Sequence, residues 1–136
     1  MKSILVTGAS GFIGSYLVEA AVERGLQTWA GVRASSSRKY LQDHRIQFFE
    51  LDFGHPERMR ALLQQHKLRY GRFDYIVHCA GVTKCADKRD FERVNYGQTA
   101  DFVRALIELD MVPVQFIFIS TLSVFGPVHE KDYQPI

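Results

Sequence analysis

The sequence predicts an α/β domain built on a doubly wound parallel sheet, and three observations carry that expectation. Short β-branched runs alternate with longer stretches of helical spacing, as strands and crossover helices do. The strand-like runs are mostly continuous in apolar character, the pattern of strands covered on both faces. A glycine-rich stretch joins the first run to the first helical one. The 136 residues give room for one domain, 1–136, and 46% hydrophobic against 24% charged residues is the composition of a chain that folds.

Five strands are expected: Ser3 to Thr7, Thr28 to Val32, Ile46 to Leu51, Tyr75 to His78 and Val114 to Ile119. Between the first two, Ile13, Leu17, Ala20 and Ala21 fall on one helical stripe that ends at Gly25. Pro56 suits the first turn of a second helix, with Met59, Leu62, Leu63 and His66 on one face and Tyr70-Gly71 as its break. A longer helix is expected around Phe91 to Leu109, with Phe91, Val94, Phe102, Leu106 and Leu109 as its stripe and Pro113 turning the chain back to the sheet. The polar run Ala34 to Lys39 is an ordinary connection, and no repeat is present. Right-handed crossovers then give the strand order 3-2-1-4-5.

Charge and cysteine content narrow the function. Seventeen basic and fifteen acidic side chains leave a formal charge of +2, too little to form a broad field for a polyanion, so no nucleic-acid partner is expected. Cys79 and Cys85 are too few for a disulfide framework and have no second pair at zinc-ligand spacing, so reduced thiols and no metal are expected. His44, His55, His66 and His129 likewise show no metal or dyad spacing. No apolar stretch approaches the ~20 residues of a membrane span, and the first apolar run is too short for a signal-peptide core. A soluble, cytoplasmic protein is expected.

The segment Val6-Thr7-Gly8-Ala9-Ser10-Gly11-Phe12-Ile13-Gly14 sits where a strand ends and a helix begins. Gly8 suits a tight turn, Gly11 lets backbone approach a pyrophosphate, and Gly14 lets the helix pack close to the sheet. The helix N-terminus offers unpaired N–H groups and partial positive charge, where a dinucleotide pyrophosphate binds. Candidate cofactor contacts here are Gly8, Ser10, Gly11, Phe12, Ile13 and Gly14.

The spacing G-x-x-G-x-x-G, read as Thr-Gly-Ala-Ser-Gly-Phe-Ile-Gly, resembles the extended short-chain dehydrogenase/reductase superfamily of epimerases, dehydratases and dihydroflavonol-type reductases. Later landmarks come in that family's order: Leu51-Asp52-Phe53, His78-Cys79-Ala80-Gly81, Val94-Asn95, and Ile119-Ser120-Thr121 leading to Val124-Phe125-Gly126. The resemblance implies a Rossmann-type fold and a nicotinamide cofactor. At the end of the second strand, Ala30-Gly31-Val32-Arg33 holds no carboxylate for a ribose 2′-hydroxyl. Arg33, with Arg38 or Lys39, can instead clamp a 2′-phosphate, which favours NADP with NAD as the alternative. The resemblance places Asp52 at the adenine amino group with Phe53 beside it. Small residues at Cys79, Ala80 and Gly81 let the cofactor lie against backbone, and Thr83 is within reach of a phosphate or ribose. Asn95 orders the strand-four loop by the same resemblance, and Ser120 abuts the cofactor. Cys79 reads as a small buried hydrophobe rather than a reactive thiol. Lys84, Lys88 and Arg89 read as a solvated basic run.

In the resembled family a Ser or Thr near the end of strand five hydrogen-bonds the substrate oxygen, and Thr121 matches it, with Ser123 as a weaker match. A Tyr and a Lys four residues later complete that set. The phenol, ordinarily titrating near about 10, has to be brought close to neutrality by its neighbours. Tyr133 is the only tyrosine beyond strand five, and the lysine four residues later would be residue 137. The chain is therefore expected to be the N-terminal, cofactor-binding part of a longer enzyme, ending before the Tyr-Lys helix and inactive by itself. The full protein is expected to transfer hydride between the nicotinamide and a secondary alcohol or ketone of a nucleotide-sugar or related small substrate, with no membrane and a homodimer among its expectations. A non-catalytic dinucleotide sensor or interaction module is the alternative.

Overall fold

The computed structural model describes residues 1–79 and 96–119. Five parallel strands form one sheet in the order β3-β2-β1-β4-β5. They are β1 (Ser3–Thr7), β2 (Gln27–Val32), β3 (Gln47–Glu50), β4 (Tyr75–His78) and β5 (Gln115–Phe118). Helices α1 (Phe12–Glu23), α2 (Pro56–Tyr70) and α3 (Gln98–Glu108) lie between them in the chain. This is the Rossmann-type order that the alternation of apolar runs predicts. β1 pairs on one side with β2, Ser3 opposite Gln27, and on the other with β4, Ile4 opposite Tyr75.

The two-residue period of the strands divides the core. Leu5, Trp29, Phe49 and Ile76 face one side and pack with Met59 and Leu63 of α2 and Phe102 and Leu106 of α3. Ile4, Val6, Ala30, Val32 and Val77 face the other and pack with Val18, Ala21 and Val22 of α1. At the N-terminal edge of the sheet, Ser3 N–H donates to Asp74 Oδ2 at 2.8 Å, and this bond lowers the carboxyl's pKa. On the first of these faces, Lys67 Nζ donates to Leu109 O at 2.7 Å and Arg60 pairs with Glu108, tying α2 to α3.

Two expectations need correction. The buried face of α1 is Gly14, Ser15, Val18, Ala21 and Val22, while Ile13 is exposed and Leu17 and Ala20 are half-buried. The helix turns its small residues, not its largest apolar ones, to the sheet, because the close approach at Gly14 leaves no room for a longer side chain. β5 is also not buried on both faces: Gln115, Ile117 and Phe118 are exposed, since this strand forms an edge of the described sheet. The third helix is described from Gln98 only, so Phe91 and Val94 of its expected stripe lie outside the described residues.

His66 is buried in an aromatic cluster on the α2 side. Its ring stacks on Phe73 at 4.2 Å and meets Trp29 edge-on at 4.7 Å. Burial lowers its pKa from 6.5 to about 4, and His78 at the end of β4 is lowered to about 4 for the same reason. Between those values the unfolded chain binds protons that the native rings refuse. Stability is therefore complete above about 6.5 and lost as pH falls toward about 4. His66→Phe, which keeps the stack and removes the titration, is expected to reduce the loss between pH 7 and pH 4.5 by roughly 2 kcal/mol. Urea unfolding of both proteins at the two pH values measures this, and an unchanged gap would contradict it.

Candidate functional site

The site begins where β1 ends. Thr7 is buried, Gly8 turns the chain with φ +62°, and Gly11 N–H donates back to Gly8 O at 3.1 Å. Glycine takes that φ without the clash a Cβ brings. Gly11 is the N-cap of α1 in extended conformation, with no side-chain cap, and the first turn carries no acidic residue. Helix bonding starts with Ser15 N–H on Gly11 O at 2.9 Å, so the N–H groups at the start of α1 have no helical acceptor. They carry the positive end of the helix dipole, and among the described residues no side-chain cap binds them.

Above this turn lies a cleft of about 650 Å3 at the C-terminal ends of the strands. It spans the point beside β1 where strand order reverses, the usual ligand position in such a sheet. Each strand exit contributes: the Gly8 to Gly14 loop after β1, Arg33 after β2, Asp52 and Phe53 after β3, Cys79 after β4 and Ile119 after β5. The structure thus brings together all six candidate residues of the glycine loop with Arg33, Asp52, Phe53 and Cys79.

The basic residues after β2 divide. Arg33 lines the cleft and makes no ion pair among the described residues. Its N–H donates to Ser36 Oγ at 3.1 Å, closing a turn whose backbone bond is Ser36 N–H to Arg33 O. Arg38 is committed elsewhere, 3.3 Å from Glu50 and over the Phe48 ring. Lys39 does not line the cleft; its ammonium lies 5.4 Å from the centroid of the Tyr40 ring.

Asp52 lines the cleft, with Oδ1 accepting Gly54 N–H at 2.9 Å and Oδ2 3.5 Å from His55 Nε2. Burial pushes the Cys79 thiol up to about 11, so it stays protonated, as a small hydrophobe would. Ala80, Gly81, Thr83, Asn95, Ser120 and Thr121 lie outside the described residues, as do Lys84, Lys88, Arg89, Ser123, His129 and Tyr133. Among the described residues no group of three or more His, Cys, Asp or Glu side chains is arranged to hold a metal ion, and no helix is long and apolar enough to cross a membrane.

Sequence reasoning missed four parts of this region. Gly31 lines the cleft and packs close to β1, where a Cβ would lie 3.2 Å from Thr7 Cα; a glycine inside an apolar strand was the available signal. Ser36 was legible only as part of a serine run, and Gln98 only as a helix residue. His78 was legible as the end of an apolar run and as the start of the His78-Cys79-Ala80-Gly81 landmark, but neither signals that it is bonded to both Thr7 and Thr99.

The family model of the NAD dependent epimerase/dehydratase family matches residues 4–136. The chain is 36% identical over 92 residues to a bifunctional dihydroflavonol 4-reductase/flavanone 4-reductase of Pyrus communis, covering 67% of this chain and 25% of that protein. It is 27% identical over 125 residues to a ceramide reductase of Caulobacter vibrioides, covering 91% of this chain and 36% of that protein. Among solved structures, the Bordetella bronchiseptica enzyme WbmH in complex with NAD+ superposes with a TM-score of 0.71 at 26% identity, covering 96% of this chain and 43% of that one. The chain thus spans about a third or less of the length of these two curated relatives.

The loop geometry separates two glycines. A Cβ on Gly14 would lie 2.2 Å from Gly8 O and 2.9 Å from Ala9 Cα, backbone atoms that cannot yield, whereas one on Gly11 meets Gly8 O at an ordinary 3.4 Å. Gly14→Ala is expected to cost about 1–3 kcal/mol by overpacking, and Gly11→Ala well under 1 kcal/mol. Thermal unfolding of the two variants checks this, and equal losses would contradict it.

Proposed function

Because the chain belongs to the NAD dependent epimerase/dehydratase family, we propose that its cleft is the dinucleotide site of an oxidoreductase or epimerase and that its preferred cofactor is NADP. The observation that carries the reading is the uncapped N-terminus of α1, free of acidic residues, facing a cleft lined by glycines. That donor set fits a pyrophosphate, which needs N–H groups and positive potential with no side chain in the way.

The residues of the cleft then take separate tasks. The N–H groups opening α1 bind the pyrophosphate, and Gly11 keeps the approach clear. Asp52 and Phe53 receive the adenine between the exits of β2 and β3. Arg33 binds the 2′-phosphate, held in place by its turn with Ser36; the preference rests on that unpaired guanidinium and on the lack of an acidic residue at the end of β2. Lys39 has no part in this clamp, and Arg38 stays with Glu50. Cys79 offers a small, uncharged wall. Ala80, Gly81, Thr83, Asn95 and Ser120 are assigned to the nicotinamide half on the family pattern, with Thr121 supplying the hydroxyl that orients the substrate oxygen.

The nicotinamide, when bound, accepts or donates a hydride. The substrate proposed for the whole protein is a small secondary alcohol or ketone, in keeping with the reductases and epimerases among its relatives. Its setting is the cytoplasm.

Calorimetric titration of NADP+ and NAD+ against the wild type and Arg33→Ala tests the cofactor reading. Wild type is expected to bind NADP+ more tightly, and the substitution to weaken NADP+ by about tenfold or more with NAD+ little changed. Equal affinities that the substitution leaves in place would overturn the preference.

A further inference from the structure

The imidazole of His78 is 1% exposed, and its chain neighbour Cys79 and its ring contact Phe53 both line the cleft. Its two nitrogens reach different elements. Nδ1 is 2.7 Å from Thr7 Oγ1 at the end of β1, and Nε2 is 3.1 Å from Thr99 Oγ1 on α3. Thr7 Oγ1 also accepts the N–H of Cys79 at 3.0 Å, so one hydroxyl joins the exits of β1 and β4. The ring meets Phe53 edge-on at 5.3 Å, and Phe102 and Phe118 flank it.

Every group that this ring holds is a cleft residue or stands next to one. Thr7 precedes Gly8, Thr99 follows Gln98, and Cys79 and Phe53 line the cleft themselves. Apart from the two threonine hydroxyls, the ring is surrounded by phenylalanines, Phe53, Phe102, Phe116 and Phe118. A buried imidazole among them costs desolvation, which only its hydrogen bonds offset. Its geometry also does what a hydroxyl or a single amide does not: two nitrogens on opposite edges of a rigid ring bridge a strand and a helix across one layer.

We propose that His78 is a positioning residue for dinucleotide binding, setting the glycine loop through Thr7 and Cys79 N–H. This inference rests on the dinucleotide reading of the cleft and deepens it. The Thr7 contact is the dominant one, since it reaches the residue before Gly8. Loss of the Thr7 hydroxyl leaves Cys79 N–H without that acceptor, and the exits of β1 and β4 lose their shared anchor.

The test measures calorimetric affinity for NADP+ and NAD+ together with thermal stability. His78→Asn places an amide near the Nδ1 position and keeps the Thr7 contact; His78→Gln places one near Nε2; His78→Leu keeps neither. Leu63→Ala, buried in the α2 side of the core, controls for lost stability alone. His78→Leu, His78→Gln and Thr7→Val are expected to weaken the preferred dinucleotide by about tenfold, the equivalent of one hydrogen bond at about 1.4 kcal/mol. His78→Asn is expected to stay within about threefold of wild type, and Leu63→Ala to lose stability with its affinity retained.

His78→Leu or Thr7→Val binding as tightly as wild type would overturn the inference, as would a loss of affinity in Leu63→Ala equal to theirs. If His78→Leu fails to fold, Thr7→Val and the Asn and Gln pair decide the matter alone. A wild-type protein that binds neither dinucleotide overturns the dinucleotide reading and this inference with it, whereas wild-type binding with unchanged Thr7→Val affinity overturns this inference only.

Discussion

The β1–α1 corner depends on backbone meeting backbone where residue 14 has no side chain. A Cβ there would stand 2.2 Å from the Gly8 carbonyl oxygen, so the first turn of α1 is seated directly on the loop it leaves. That seating has two consequences. It chooses the buried face of α1, turning Gly14, Ser15 and Val18 inward and leaving Phe12 and Ile13 at the cleft. It also aims the uncapped helix N-terminus into the space over the strand ends, where an anion gains from both the N–H groups and the dipole. A second close approach supports the first: Gly31 brings β2 against Thr7, so β1 leaves the sheet between a glycine of its neighbour and the glycines of its own loop.

Electrostatics around the cleft then divide by commitment rather than by count. Arg38 is spent on Glu50 and on the face of Phe48, where charge and ring give it a fixed place. Arg33 has no ion-pair partner among the described residues and stands at the cleft. The net charge of +2 hides this, because the described cleft carries its positive character at one guanidinium without an ion-pair partner among the described residues and at a helix N-terminus.

Much of the architecture was legible in the residue pattern. β-branched runs separated by amphipathic stretches specify parallel strands and crossovers, and β1 and β4 have the expected bounds. The glycine loop was legible because three glycines between a strand and a helix have few other uses, and the cleft contains all six of the loop positions named from it. The face of α1 was misread because hydrophobicity was weighed above size: Ile13 and Leu17 outweigh Gly14 and Ser15 on any apolar scale, yet contact distance decides. β5 was read as fully covered because Phe116, Ile117, Phe118 and Ile119 form an apolar run, and such a run does not tell an edge strand from a central one. Lys39 stands near Arg33 in the sequence, but Arg33 lines the cleft and Lys39 does not. The bonds of His78 were invisible because Thr7 and Thr99 lie 71 and 21 residues away, and nothing local in the chain links them.

The central claim is that a dinucleotide lies across the strand exits with its pyrophosphate on the start of α1. Amide chemical-shift mapping during titration with NADP+ tests it most directly. The account predicts that the largest changes fall on the amides of residues 8–14, with a second group at Arg33 to Ser36 and a third at Asp52 to Gly54. Saturating NADP+ that leaves the residue 8–14 amides unmoved, or that shifts chiefly the exposed face of α2, would contradict it.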